Sequence, residues 1–273
     1  MRALAGLLML LAGPVLVGPV LVGPALAEPV TIPGPGGLAL RADLALPAGP
    51  PVAPAIVALH GCGGPYPPRD GQWARALVAA GHIVLRPDSF GSRGLGSQCR
   101  ERHRVATSGG LRRLDAIAAA RWLAARPGTP PGGVALLGWS DGGSTVLAAG
   151  KVAPDLPAGL LRGLVAFYPG CRAASVSATW QPAAALLILH GASDDWTPAA
   201  PCIALEAKHP EMVMLHTYPG AYHDFDSPAK LHTLRNIPTS QNPDHSVHLG
   251  GDPAAWADAL RRVPAFLAAQ PPR

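Results

Sequence analysis

Ser140 sits in GWSDGG (138–143), with a glycine two residues before it and another two residues after it. VALL precedes this stretch and reads as a buried strand; GGSTVLAAG follows and reads as a helix. The serine is therefore expected at the tip of a sharp strand-to-helix turn, with its hydroxyl exposed. Gly138 and Gly142 remove side chains where the chain must turn, and a helix N-terminus favours negative charge developing beside it. A serine hydroxyl is a weak nucleophile until a base takes its proton and a third group orients that base. Two later residues supply these roles in the chain order serine, acid, histidine. Asp194 lies in LLILHGASDDWTP and is preferred to its neighbour Asp195; His223 lies in VMLHTYPGAYHDFD, just after a strand and a turn. The glycine-rich LHGCGGP (59–65) lets backbone N–H groups come close to a carbonyl oxygen. The amides of Cys62 and Asp141 are expected to receive the oxyanion that attack by Ser140 would leave. His60 is read as a brace for that loop rather than a participant.

These residues need a scaffold that brings strand ends together. AIVALHG (55–61), HIVLRPD (82–88), VALLGWS (134–140), GLVAFYP (163–169), ALLILHG (185–191) and VMLHTYP (213–219) are short apolar runs, read as strands buried on both faces. Helical patterns lie between them, over 70–81, 108–128, 142–151, 198–209 and 253–270. The second carries Leu111, Leu114, Ile117 and Leu123 on one stripe, and the last is expected to kink or divide at Pro264. Residues 31–47 alternate in polarity and read as an antiparallel pair. Strand–helix alternation of this kind predicts an α/β fold, a mostly parallel sheet with helices on both faces. The polar segment from His223 to Gly251, without periodicity, reads as a long surface loop forming one wall of the site.

Composition narrows the class. Apolar residues make up 48% of the 273 and charged residues 14%, which excludes a disordered or nucleic-acid-coating chain. The formal charge is +5, and the local basic stretch Arg100–Arg104 is read as a solvated face. Arg2 precedes an uncharged apolar stretch that ends Ala25-Leu26-Ala27, a signal-peptidase pattern. Prolines 14, 19 and 24 argue against a spanning helix. Residues 1–27 are thus expected to be a cleaved leader and 28–273 one domain, periplasmic or secreted, with no stable membrane association. Cys62, Cys99, Cys171 and Cys202 then suggest two disulfides, against the alternative of four buried thiols. Cys62–Cys99 and Cys171–Cys202 are favoured of the three pairings, because each would link the ends of neighbouring strands. No CxxC or CxH spacing suggests zinc. His190, Asp194, His223 and Asp226 could be drawn as a metal set, but a serine elbow needs no metal, and no metal or other cofactor is expected.

HGCGG, RPDSFGSRG (86–94), GWSDGG, GASDDWTPAAPC (191–202) and YPGAYHDFD (218–226) together resemble the dienelactone hydrolase family of the α/β-hydrolase superfamily, over about residues 52–270. The resemblance implies a mostly parallel central sheet with the nucleophile at the elbow and Ser140, Asp194 and His223 as a triad. The ring-opening members carry cysteine at the elbow; serine here, with export, points to an exported serine esterase taking small-molecule esters or lactones through an acyl-enzyme. A peptidase of the same superfamily and a catalytically silent binding protein are the alternatives. Trp139, Trp196 and Tyr66 are candidate pocket residues. Arg93 either meets a substrate carboxylate or, the preferred reading, forms a structural ion pair. Oligomeric state has no signal in the sequence.

Overall fold

A computed structural model describes residues 27–273; residues 1–26 of the expected leader lie outside the described residues. β1 (Glu28–Pro33) and β2 (Ala39–Ala45) form the antiparallel pair, and β2 continues into the main sheet. β3 (Ile56–Leu59) leads through a glycine-rich loop into α1 (Pro67–Ala79), whose two prolines open its first turn. β4 (Val84–Pro87), α2 (Leu111–Ala125), β5 (Val134–Trp139), α3 (Asp141–Ala149) and β6 (Leu161–Phe167) follow. Then come the short α4 (Arg172–Val176), β7 (Leu186–Gly191), α5 (Ala200–Lys208) and β8 (Val213–Tyr218). A two-stranded ribbon, β9 (His232–Leu234) with β10 (Val247–Leu249), precedes the closing helix α6 (Pro253–Ala268).

The eight-stranded sheet runs β1-β2-β4-β3-β5-β6-β7-β8, antiparallel in its first two pairings and parallel from β4 onward. Strand periodicity sorts its side chains into two cores. Val57 and Leu59 of β3 join Leu136, Ile188 and the apolar stripes of α2 and α3; Ile56 and Ala58 join Leu187, Leu189 and the inner faces of α1 and α6. Covered on both faces, β3, β5, β6 and β7 are wholly buried, which their unbroken apolar runs required.

Several expectations are corrected. β8 is an edge strand rather than a doubly covered one, and Met214 is 57% exposed. The 82–88 strand shortens to four residues. Leu114 points to solvent at 40% exposure; the covered stripe of α2 is Ala116, Ile117, Ala120 and Leu123. α6 passes through Pro264 as one helix, because Ala259, Val263 and Leu267 pack on the sheet on both sides of it, and Asp252 caps its start by accepting from the N–H groups of Ala254 and Ala255. α4 and the β9–β10 ribbon carry no sequence periodicity and were not anticipated.

Cys62–Cys99 and Cys171–Cys202 are bonded. Two such bonds fit a non-cytoplasmic setting. Among the described residues no helix is long and apolar enough to cross a membrane.

Candidate active site

The turn between β5 and α3 holds Ser140 at φ 55° and ψ −115°, outside the regions L-residues favour. Its N–H donates to the Phe167 carbonyl at 2.9 Å, and its own carbonyl accepts from Ser144 N at 2.8 Å to begin the helix. The flanking glycines are steric necessities. A Cβ on Gly138 would lie 2.4 Å from the Gly142 oxygen, and one on Gly142 would lie 2.1 Å from the Leu59 oxygen. The Ser140 turn is thus packed directly on the end of β3.

His223 follows β8 and a short turn. Its Nε2 lies 2.9 Å from Ser140 Oγ and its Nδ1 lies 2.8 Å from Asp194 Oδ2. A carboxylate only accepts, so Nδ1 carries the proton and Nε2 is left to accept from the hydroxyl. Asp194, past the end of β7, receives the N–H groups of Trp196 and Thr197 on Oδ1, each at 2.9 Å. Burial pushes its carboxyl pKa upward, but His223 and these donors outweigh burial and hold it below the usual carboxylate range. The imidazole is enclosed by the rings of Tyr168 and Trp196, at centroid distances of 4.6 Å and 4.8 Å. Asp195 faces away, taking His248 Nδ1 at 2.7 Å and Asn242 Nδ2 at 3.0 Å, and so anchors the β9–β10 segment.

The HGCGG loop arches over this group. His60 is buried; its Nδ1–H donates to the Gly61 carbonyl at 2.8 Å and its Nε2 accepts from Ser89 N at 3.2 Å. That pattern satisfies the neutral ring, so the 3.9 Å approach of Asp88 to Nε2 is not an ion pair. Burial, then the Arg112 charge, drives the His60 pKa down to about 3. Cys62 is tied to Cys99, and its carbonyl accepts from Gln98 N at 2.7 Å. Neither the Cys62 nor the Asp141 N–H has a partner among the described residues, so both amides beside the serine are free to donate. The Asp141 carboxylate is occupied by Arg104, Ser108 and Arg112. The RERHR stretch is therefore not merely a solvated face, since Arg104 bonds to Asp141, next to Ser140.

A cavity of about 310 Å³ opens over Ser140 and His223, walled by Tyr66, Trp196, Leu234 and Leu249. Tyr66 and Trp196 stand where the sequence reading put them. Trp139 does not: β5 alternation turns it into the α1–α6 core, where its indole N–H donates to Asp226 Oδ2 at 2.7 Å. Arg93 forms a bidentate pair with Asp115 at 2.7 and 2.8 Å, away from the cavity. The ribbon contributes Leu234 and Leu249 to the wall.

The sequence reading missed a buried polar cluster behind the site. Arg69 donates to Asp70 at 2.8 Å and to Asp224 at 2.6 Å; Tyr168 OH donates to Asp226 at 2.6 Å; Trp73 and Trp139 both donate to Asp226 at 2.7 Å. Burial raises the Asp226 pKa to about 6 against the attraction of Arg69. The signal was HDFD, acids one and three residues after the histidine, and the RD pair after the glycine-rich loop. The metal set does not form: Asp226 belongs to this cluster, and among the described residues no three His, Cys, Asp or Glu side chains converge to hold an ion.

A strand-to-helix serine turn at the centre of a mostly parallel sheet, with acid and histidine at later strand ends, defines the α/β-hydrolase fold. The Dienelactone hydrolase family profile matches residues 40–270, and the chain belongs to that family. No curated protein matches the chain in sequence. Among solved structures, it is similar to a dienelactone hydrolase-like promiscuous phosphotriesterase from metagenomic libraries, at TM-score 0.62 and 19% identity, covering 91% of this chain and 99% of that one. It is also similar to Thermogutta terrifontis esterase 2, at TM-score 0.61 and 18% identity, covering 89% and 94%. A puromycin-hydrolyzing peptidase of Mycobacterium tuberculosis gives TM-score 0.65 and 19% identity, covering 90% of this chain but 39% of that one. At these identities the likeness concerns the fold.

Proposed function

We propose that the protein is an exported serine hydrolase that cleaves carboxylic esters, lactones or related acyl compounds through an acyl-enzyme. The observation that carries this is the continuous chain from Ser140 Oγ to His223 to Asp194, at 2.9 and 2.8 Å, on the floor of a cavity. His223 Nε2 takes the hydroxyl proton as Oγ bonds to the carbonyl carbon, and Asp194 stabilises the imidazolium and fixes its tautomer. The N–H groups of Cys62 and Asp141 hold the oxyanion; losing one such donor typically costs about 100-fold or more. His223 then protonates the departing alkoxide. A water, deprotonated by the same nitrogen, attacks the acyl-enzyme and frees the acid. Residues 28–273 act as one domain after removal of the leader, a reading supported by the two disulfides, and the partner is a small molecule rather than nucleic acid.

The test is turnover of p-nitrophenyl butyrate by mature protein, together with fluorophosphonate labelling. Both should vanish in Ser140→Ala. Turnover no greater than that of the variant would instead make this a silent binding protein. N-terminal sequencing of exported protein should begin at Glu28.

A further inference from the structure

On the cavity wall one cation, Arg69, meets one carboxylate, Asp224; behind the wall Asp70 also bonds Arg69, and Asp226 is hydrogen-bonded to Tyr168. Three carboxyl groups thus surround one guanidinium. Arg69 is also committed, its Nε and Nη2 serving Asp70 and its Nη1 serving Asp224. Asp224 differs. It is only 9% exposed and lines the cavity. Its Oδ1 receives Arg69 at 2.6 Å and lies 3.1 Å from the Tyr168 hydroxyl, whose proton goes to Asp226, whereas Oδ2 has no partner among the described residues. Oδ2 is not sealed from solvent either, and Asp224 is a residue of the cavity wall. Tyr66 and Trp196 line the same space, and aromatic faces attract a cation. His232 is the further titratable side chain on the wall, its Nδ1 lying 2.8 Å from the Lys230 carbonyl.

Resting on the hydrolase reading above, we propose that this site selects substrates whose acyl or alcohol part carries an ammonium group, seated between Asp224 Oδ2 and the aromatic rings, and discriminates against carboxylate-bearing esters. The overall charge of +5 would by itself favour anions at long range. Within a cavity of this size the nearby carboxylates decide, because distant surface charge is screened over about 10 Å.

Two arms separate the acyl side from the alcohol side. On the acyl side, p-nitrophenyl ε-aminocaproate is compared with p-nitrophenyl heptanoate and mono-p-nitrophenyl adipate. On the alcohol side, choline butyrate is compared with its uncharged isostere, 3,3-dimethylbutyl butyrate. The ratio of kcat/KM, ammonium to neutral, should be about tenfold at low salt in at least one arm, with the carboxylate ester below the neutral one. That ratio should fall toward one in Asp224→Asn and in high salt. Ratios at or below one in both arms, with the neutral esters turned over, overturn the inference while leaving the hydrolase reading intact. An undiminished ratio in folded Asp224→Asn also overturns it. Calorimetry of tetramethylammonium on Ser140→Ala protein needs neither turnover nor the Asp224 variant. Salt-sensitive binding supports the proposal even if every ester assay fails, and no binding overturns it.

Discussion

His223 is held from three directions: Asp194 on Nδ1, Ser140 on Nε2, and rings on its sides. Replacing Asp194 with Asn presents a donor where the imidazole needs an acceptor. Asp194→Asn should lower kcat by about 10³ to 10⁴ while KM moves little, measured on p-nitrophenyl butyrate. Asp195→Asn, acting on the ribbon, should stay within about tenfold of the parent. Two buried groups give opposing pH signatures. His60 stays neutral in the fold down to about pH 3, whereas the unfolded chain takes up its proton near 6.5; this stability is complete above 6.5 and is lost as pH falls toward 3. Asp226 holds its proton up to about pH 6, so its contribution is lost as pH rises from about 4 to 6. Urea unfolding against pH should show a flatter acid decline in His60→Gln and a steeper one in Asp226→Asn. The meeting of Ser140, Asp194 and His223 was legible because each stands where a strand stops and a turn begins. Trp139 was placed at the right sheet edge, but which way a side chain leaves that edge depends on partners such as Asp226, 87 residues away; Arg93 does form the ion pair preferred for it, with Asp115, 22 residues away.

The elements owe their positions to close backbone contact as much as to apolar pattern. The Ser140 turn meets β3 so tightly that Gly142→Ala drives a Cβ into the Leu59 carbonyl, whereas Gly63, in the neighbouring loop, has nothing within 4 Å of such an atom. Gly142→Ala should therefore lower Tm by more than about 10 °C or abolish soluble expression, and Gly63→Ala should change Tm by under about 2 °C, read by differential scanning calorimetry. The central strands were legible because burial on both faces leaves only apolar residues. β8 has the same apolar run but sits at the sheet edge, and strand order is not written in any one strand. β9 and β10 are three residues each, too short for alternation to register. Pro264 was a misleading breaker, because the cost of one lost helical hydrogen bond is local, while the packing of Val263 and Leu267 extends past it.

Across the whole molecule, the disulfides close spans of 37 and 31 residues, each worth about 4 kcal/mol in a chain-entropy account. They should separate by function. Cys171→Ser with Cys202→Ser should lower Tm and leave kcat near the parent value, because that bond joins α4 to α5 away from the cavity. Cys62→Ser with Cys99→Ser should lower Tm and also kcat, because it frees the loop proposed above to present an oxyanion donor beside the cavity. Asp226 has a consequence of a different kind. Its carboxyl gathers donors from α1, from the end of β5 and from the end of β6, and it lies three residues beyond His223. The imidazole can settle only after those three distant stretches have met. During renaturation from urea, recovery of enzymatic turnover should consequently trail the return of the helical circular-dichroism signal, making the competence of this enzyme a late reporter of complete assembly.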